Sequence, residues 1–205
     1  EVALVKGGAQ MRYAFAARQG ERGLAIERGG ARARFEILAT VEFTSARKRM
    51  SGIAREVGGA GGAAGRAFLL TKGADSVMLD AQPDASGAPS LPPRVRDDAA
   101  KVAALRAQLD EYAVEGLRTL VFGYKELDDA AVDLDDASSW LRRWRETQTL
   151  ADAARAAAEQ EALAAELEDG LALVGASAIE DKLQERVAWP ISRRASARAR
   201  ARVLT

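Results

Sequence analysis

Apolar and polar positions alternate twice near the start of the chain, in RYAFAAR and GLAIER, with QGERG between them. A period of two on both sides of a turn predicts a β-hairpin across residues 11–28. Gly29 and Gly30 make the next turn, and a mostly apolar run over 35–43 predicts a third strand. MSGIAREV, 50–57, predicts a fourth and 66–71 a fifth. Between those two lies GGAGGAAG, which lacks the Lys-Ser/Thr of a phosphate loop and reads as a flexible hairpin tip. Lys72-Gly73-Ala74-Asp75 then turns the fifth strand into a short helix. LRTLVFGY, 117–124, and LALVGA, 171–176, predict two further strands.

Helical spacing appears in three places. Residues 1–10 read as a short helix weakened by two glycines. Val102, Leu105, Leu109, Tyr112 and Ala113 form one apolar face, behind Asp97 and Asp98 and ahead of Gly116. Residues 139–168 are alanine-rich and predict a single long helix capped by Ser138, with Trp140, Leu141, Trp144, Leu150, Leu163 and Leu167 inward. Their apolar spacing does not hold a heptad through three repeats, which speaks against a coiled coil. QPDASGAPSLPP, 82–93, has no core-forming pattern and reads as an exposed insertion.

Composition narrows the function classes. The 205 residues carry 30 basic and 30 acidic side chains, so no net field steers the chain toward nucleic acid or a membrane surface. The charge is uneven: after Glu185 there is no acid, and Arg186, Arg193, Arg194, Arg198, Arg200 and Arg202 make a basic tail. With no cysteine there is no disulfide or thiol chemistry. With no histidine, the commonest general base and metal ligand is missing, which argues against a zinc site or a Ser–His–Asp hydrolase. No apolar run approaches the ~18–20 residues that span a bilayer, and no signal peptide opens the chain. A first residue that is glutamate reads as the start of a piece of something longer.

The chemistry concentrates in VEFTSARKRMS, 41–51, and TKGAD, 71–75. An aromatic ring and a lysine at the mouths of neighbouring strands can hold a nucleotide. The ring stacks on a base, worth about 1–3 kcal/mol, and the ammonium meets negative charge as a compact point charge. Taken singly these residues have plainer readings. A phenylalanine at a strand end is commonly core, a Lys-Gly-Ala turn is commonly only a turn, and Arg47, Lys48 and Arg49 can form a solvated face that never touches nucleotide.

Five motifs in order, EVALV, EFTSARKRMS, TKGAD, EGLRTL and GASAIEDKLQ, carry the argument further. Together they resemble the nucleotide-binding domain of the phospholipid-flippase class of P-type ATPases, over nearly the whole chain. The resemblance implies an α+β fold: a twisted antiparallel sheet of about six strands flanked by helices, with a C-terminal partial α/β phosphorylation-domain segment. It implies a nucleotide-binding domain over 1–170, with 82–95 as a flexible insertion, and the return into the phosphorylation domain over 171–205. It implies ATP as ligand: Phe43 stacks on adenine, Glu1 faces the adenine amino group, Ser45 lines the pocket, and Lys72 sits over base and ribose. Arg118 reaches the phosphates, where a planar guanidinium binds oxygens in pairs, and Thr205 matches the threonine of the family's TGDK motif near the γ-phosphate.

The family's phosphorylated aspartate, in DKTGT, would precede Glu1, and the ligands of Mg2+ would also lie outside the chain. The resemblance therefore implies no catalytic residue here and an isolated piece that does not turn over ATP. Its parent would be a multi-pass membrane protein, this segment on the cytoplasmic side, with a phospholipid substrate, an accessory subunit and no nucleic-acid partner. The last residues depart from the family, which has a buried strand where this chain reads ARARARVLT; the expectation is a disordered or loosely helical tail over 187–205. The competing reading is a stand-alone or degenerate nucleotide-binding module without transport, and a third is an interaction protein built on the 139–168 helix.

Overall fold

The computed structural model describes residues 2–58, 65–80, 82–83, 89–91 and 93–180. It opens with helix α1 (Val2–Gln10), followed by strands β1 (Tyr13–Gln19), β2 (Gly23–Arg28), β3 (Ala31–Val41), β4 (Arg49–Val57) and β5 (Ala67–Gly73). These five strands meander, each antiparallel to the next. Helix α2 (Asp75–Met78), a small hairpin of β6 (Gln82–Pro83) and β7 (Pro89–Leu91), and helix α3 (Ala99–Val114) separate β5 from β8 (Arg118–Leu127). A 3-10 turn (Asp129–Val132) and helices α4 (Trp140–Thr147) and α5 (Ala153–Leu167) separate β8 from β9 (Ala172–Ile179). The main sheet has seven strands in the order β1-β2-β3-β4-β5-β8-β9, so the helical insertions leave the antiparallel order intact.

Alternation along the strands assigns the two faces. In β5, Ala67, Leu69, Thr71 and Gly73 are buried, while Phe68, Leu70 and Lys72 are not. The buried positions meet the helices: Ile53, Leu69, Val121 and Leu173 share one core with Leu105 and Leu109 of α3 and with Trp140, Leu141, Trp144, Leu163 and Leu167 of α4 and α5. Each such side chain contributes about 1.5–3 kcal/mol on burial, enough to fix which face the helices cover. Gly73 permits the closest approach in this layer, since a Cβ there would lie 2.8 Å from the Cβ of Arg49 and 3.1 Å from Met78.

Two local expectations are corrected. The single helix over 139–168 is two helices, broken at 148–152. The Thr147 and Thr149 hydroxyls donate to the carbonyls of Trp144 and Glu146 at 2.8 and 2.9 Å, competing with helical hydrogen bonding. Asp152 then starts a new helix, its carboxylate accepting from the amides of Ala154 and Arg155. The cap of the first helix is Ser139, whose hydroxyl accepts from the Arg142 amide, and Ser138 instead bonds Asp136. The break lets α4 fold back on α5: Trp140, stacked on Trp144 of its own helix at 5.1 Å, donates its indole N–H to Leu163 O of α5 at 2.8 Å.

Asp98 is the cap of α3, and Asp97 has a different task. Its carboxylate accepts from Lys101 Nζ at 2.9 Å and from the Leu173 amide at 2.7 Å, which ties the start of α3 to β9. These bonds, with one from the Asp98 amide, hold its pKa down to about 2. The segment expected to open a second domain at 171 begins with β9, paired along its length with β8. The tail over 187–205 and most of the glycine-rich tip, 59–64, lie outside the described residues.

Candidate nucleotide-binding site

The face of the sheet away from the helices carries a cavity of about 410 Å³, lined by Met50, Gly52, Leu70, Lys72, Phe122 and Val174 among others. Register explains the grouping. Met50 pairs with Lys72 and Lys72 with Phe122, so the lysine stands in a row between a thioether and a ring. The next row sets Gly52 against Leu70. A Cβ on Gly52 would meet nothing within 4 Å, so the missing side chain leaves open space. The cavity is apolar with one ammonium at its edge, which suits a flat base joined to an anionic tail.

Strand direction gathers the other candidates at one end of the sheet. The loop 42–48 joins the end of β3 to the start of β4, β5 ends beside that start at Gly73, and Gly73 pairs with Val121 near the start of β8. Phe43 and Ser45 sit in the loop, and both are exposed. Phe43 is 59% exposed, which removes the reading of a core residue. Arg118, also exposed, shares the open face with Phe122 by alternation, four residues along β8 and hence ~13 Å away. The structure thus places Lys72 in the cavity, Phe43 and Ser45 in the loop at that end, and Arg118 farther along the same face. Glu1 and Thr205 lie outside the described residues.

Arg47 and Arg49 go to the other side. The solvated-face reading fails for both, which are 8% and 5% exposed, while Lys48 between them is exposed. Alternation in β4 turns Arg49 onto the helix-covered face, and the turn before it, with Lys48 left-handed, brings Arg47 to the same side, where Glu168, the fully buried residue ending α5, receives both. Arg49 Nε donates to Glu168 Oε2 at 2.6 Å, Arg47 Nη2 donates to Oε1, and the Ser51 hydroxyl donates to Oε1 at 2.6 Å. Glu161 adds a half-exposed carboxylate, 2.9 Å from Arg47 and 3.2 Å from Arg49. Burial pushes the Glu168 carboxyl up, but Arg49, Ser51 and Arg47 outweigh it and hold it below the ordinary carboxylate range.

Sequence reasoning missed Met50, Gly52, Leu70, Phe122 and Val174 as lining residues. The period-two pattern could have found the first four, because they alternate with buried positions. It could not have found Glu168, which lies 117 or more positions from its partners. Among the described residues, no group of three or more Asp or Glu is placed to hold a metal ion.

Comparison with known families shows which family the chain belongs to. Residues 1–186 match the family model of the P-type ATPase cytoplasmic domain N. The chain belongs to that family. This N domain is 36% identical over 191 residues, 91% of its length, to phospholipid-transporting ATPase DNF1 of Saccharomyces cerevisiae. It is 35% identical over 207 aligned positions, covering the whole chain, to DNF2 of the same yeast. It is 31% identical over 190 residues, 91% of the chain, to phospholipid-transporting ATPase ID of Homo sapiens. The N domain spans 11%, 12% and 13% of those proteins. The α+β reading agrees with the observed sheet, which has seven main strands rather than about six. Among the described residues, no helix is long and apolar enough to cross a membrane.

Proposed function

We propose that this N domain binds the adenosine end of ATP on its open sheet face and belongs to a phospholipid-translocating pump. The observation that carries the binding reading is the row Met50–Lys72–Phe122 beside the space left by Gly52. The base enters the apolar cavity, Phe43 stacks on it from the loop, and Ser45 lines the entrance. Lys72 meets the negative charge of the ribose-phosphate side, and Arg118 takes the phosphates farther along β8. For Glu1 and Thr205, outside the described residues, the proposed roles are the ones the family resemblance implies, at the adenine amino group and near the γ-phosphate. Mg2+ would accompany the phosphates on ligands outside the described residues.

The substrate class follows from the relatives, whose names describe phospholipid-transporting ATPases at 31–36% identity. On that basis the whole protein couples ATP hydrolysis to moving a phospholipid across a bilayer, with this segment on the cytoplasmic side and an accessory subunit as a further partner. Residues 1–170 are proposed as the nucleotide-binding unit and 171–205 as the return toward the phosphorylation domain, beginning with β9, which is itself the edge strand of the nucleotide-binding sheet. The stand-alone module without transport is not favoured by the match to these transporters.

Calorimetric titration of the 205-residue chain with ATP in the absence of Mg2+ tests the binding reading. The expected affinity lies between high micromolar and millimolar, because stacking and a few charge contacts must offset ordering costs. Gly52→Leu fills the cavity from a position where a Cβ is unopposed, so it should abolish measurable binding with the fold retained. Unchanged binding in Gly52→Leu contradicts the site.

A further inference from the structure

The buried arginine–glutamate cluster lies across the sheet from the cavity, yet it holds the loop that carries Phe43. Arg47 makes the link. Its Nη1 donates to Glu42 O at 3.0 Å, the carbonyl joined directly to the Phe43 amide. Its own amide donates to Thr44 Oγ1 at 3.1 Å, and the Lys48 amide donates to Thr44 O at 2.8 Å, so the backbone on both sides of Phe43 is fixed. The guanidinium is fixed in turn by Glu168 Oε1. Arg49 Nη1 donates to Arg47 O at 3.1 Å, which closes a second path from Glu168 to the loop.

The loop is also registered against Lys72. Lys48 adopts a left-handed conformation, φ 49°, that a non-glycine residue takes at a cost and keeps only where its surroundings hold it. Its carbonyl accepts from the Ala74 amide at 3.0 Å, two residues past Lys72. Four exposed residues, Phe43 to Ala46, are therefore bounded on one side by buried ionic contacts and on the other by the end of β5. An exposed ring on an untethered loop would lose orientational freedom on stacking; a tethered one has already lost it.

Resting on the nucleotide reading above, we propose that Arg47, anchored by Glu168, is a positioning residue for adenine binding: it touches no nucleotide and presents Phe43 at the cavity mouth. Glu168 and Arg49 serve the same end by bonding Arg47, and Ser51 by bonding Glu168.

A double-mutant cycle on the full chain with ATP as the probe tests this. Arg47→Met keeps the alkyl stem and removes the guanidinium, so ATP affinity should fall about five- to tenfold, as a coupled contact would give. In a Phe43→Ala background the same change should cost less than about twofold, because there is no ring left to position. Thr44→Ala, at an exposed position outside the core, should weaken ATP binding about two- to fourfold and lose that effect when Phe43 is absent. Should Arg47→Met fail to fold, the Thr44→Ala pair decides alone. Wild-type affinity in Arg47→Met or Thr44→Ala, or losses that add fully to that of Phe43→Ala, overturns the positioning role while leaving the nucleotide site standing. If the wild-type chain does not bind ATP, the nucleotide reading falls first and the positioning role with it.

Discussion

The two faces of the sheet around β4 and β5 handle charge in opposite ways. On the helix-covered face, Arg47 and Arg49 are buried against a fully buried Glu168, with Ser51 and Thr71 hydrogen-bonded beside it at 2.9 Å. On the open face, Met50, Gly52 and Lys72 border a cavity of about 410 Å³. The same short motif supplies both, because consecutive residues of a strand point to opposite faces. Charge buried in the helix layer is costly to leave unpaired, so it fixes the framework. On the open face the Lys72 ammonium borders the cavity instead of entering the helix layer. Adjacent letters of one motif thus do different work: parity within β4 separates Arg49 and Ser51 from Met50 and Gly52, and the turn at Lys48 adds Arg47 to the helix side.

The largest way to break this comparison is to remove the buried carboxylate. Glu168→Ala leaves two buried guanidinium groups with only the half-exposed Glu161 between them, and unfolding by urea should show a loss of about 3–5 kcal/mol. A loss under about 1 kcal/mol, the level of an exposed pair, would mean the cluster is solvated after all.

A smaller effect, on the opposite property, belongs to the other side. Phe43→Ala should weaken ATP binding by about 1–3 kcal/mol through lost stacking, with the melting temperature unchanged because the ring is 59% exposed. A mutant that melts without binding any worse reverses the assignment of the two faces.

Acid provides the finest discrimination. Asp97 has its pKa lowered from 3.8 to about 2, so the charged form is the one the fold prefers. Its contribution is complete above about pH 4 and is lost as the pH falls toward 2. Urea midpoints measured across that window should fall less steeply in Asp97→Asn than in the wild type. Parallel slopes would show that the tie between α3 and β9 does not depend on this carboxylate.

Most of the sheet could be read in the sequence. The hairpin over 11–28, the runs ending near Phe43 and Thr71, and LRTLVFGY gave β1–β5 and β8, because period-two alternation and glycine turns are local signals. The break after Thr147 was hidden because alanine-rich flanks favour helix on both sides, while the interruption comes from hydroxyl contacts and a new cap at Asp152. Phe43, Lys72 and Arg118 were found as letters of motifs; the structure puts Lys72 at the cavity, Phe43 in the loop after β3 and Arg118 ~13 Å from Phe122 along β8. Arg47 and Arg49 were visible but not interpretable, since Glu168 stands at the far end of α5. Sequence pattern carries what neighbours do along a strand and very little of what a distant helix end will meet.

The most direct test is an amide NMR titration of the chain with ATP without Mg2+. The account predicts shifts along the loop 42–46 and at Met50, Gly52, Leu70, Lys72 and Phe122, with Leu163 to Glu168 undisturbed apart from small changes transmitted through Arg47. No shift at millimolar ATP, or shifts confined to the helix layer, would contradict it.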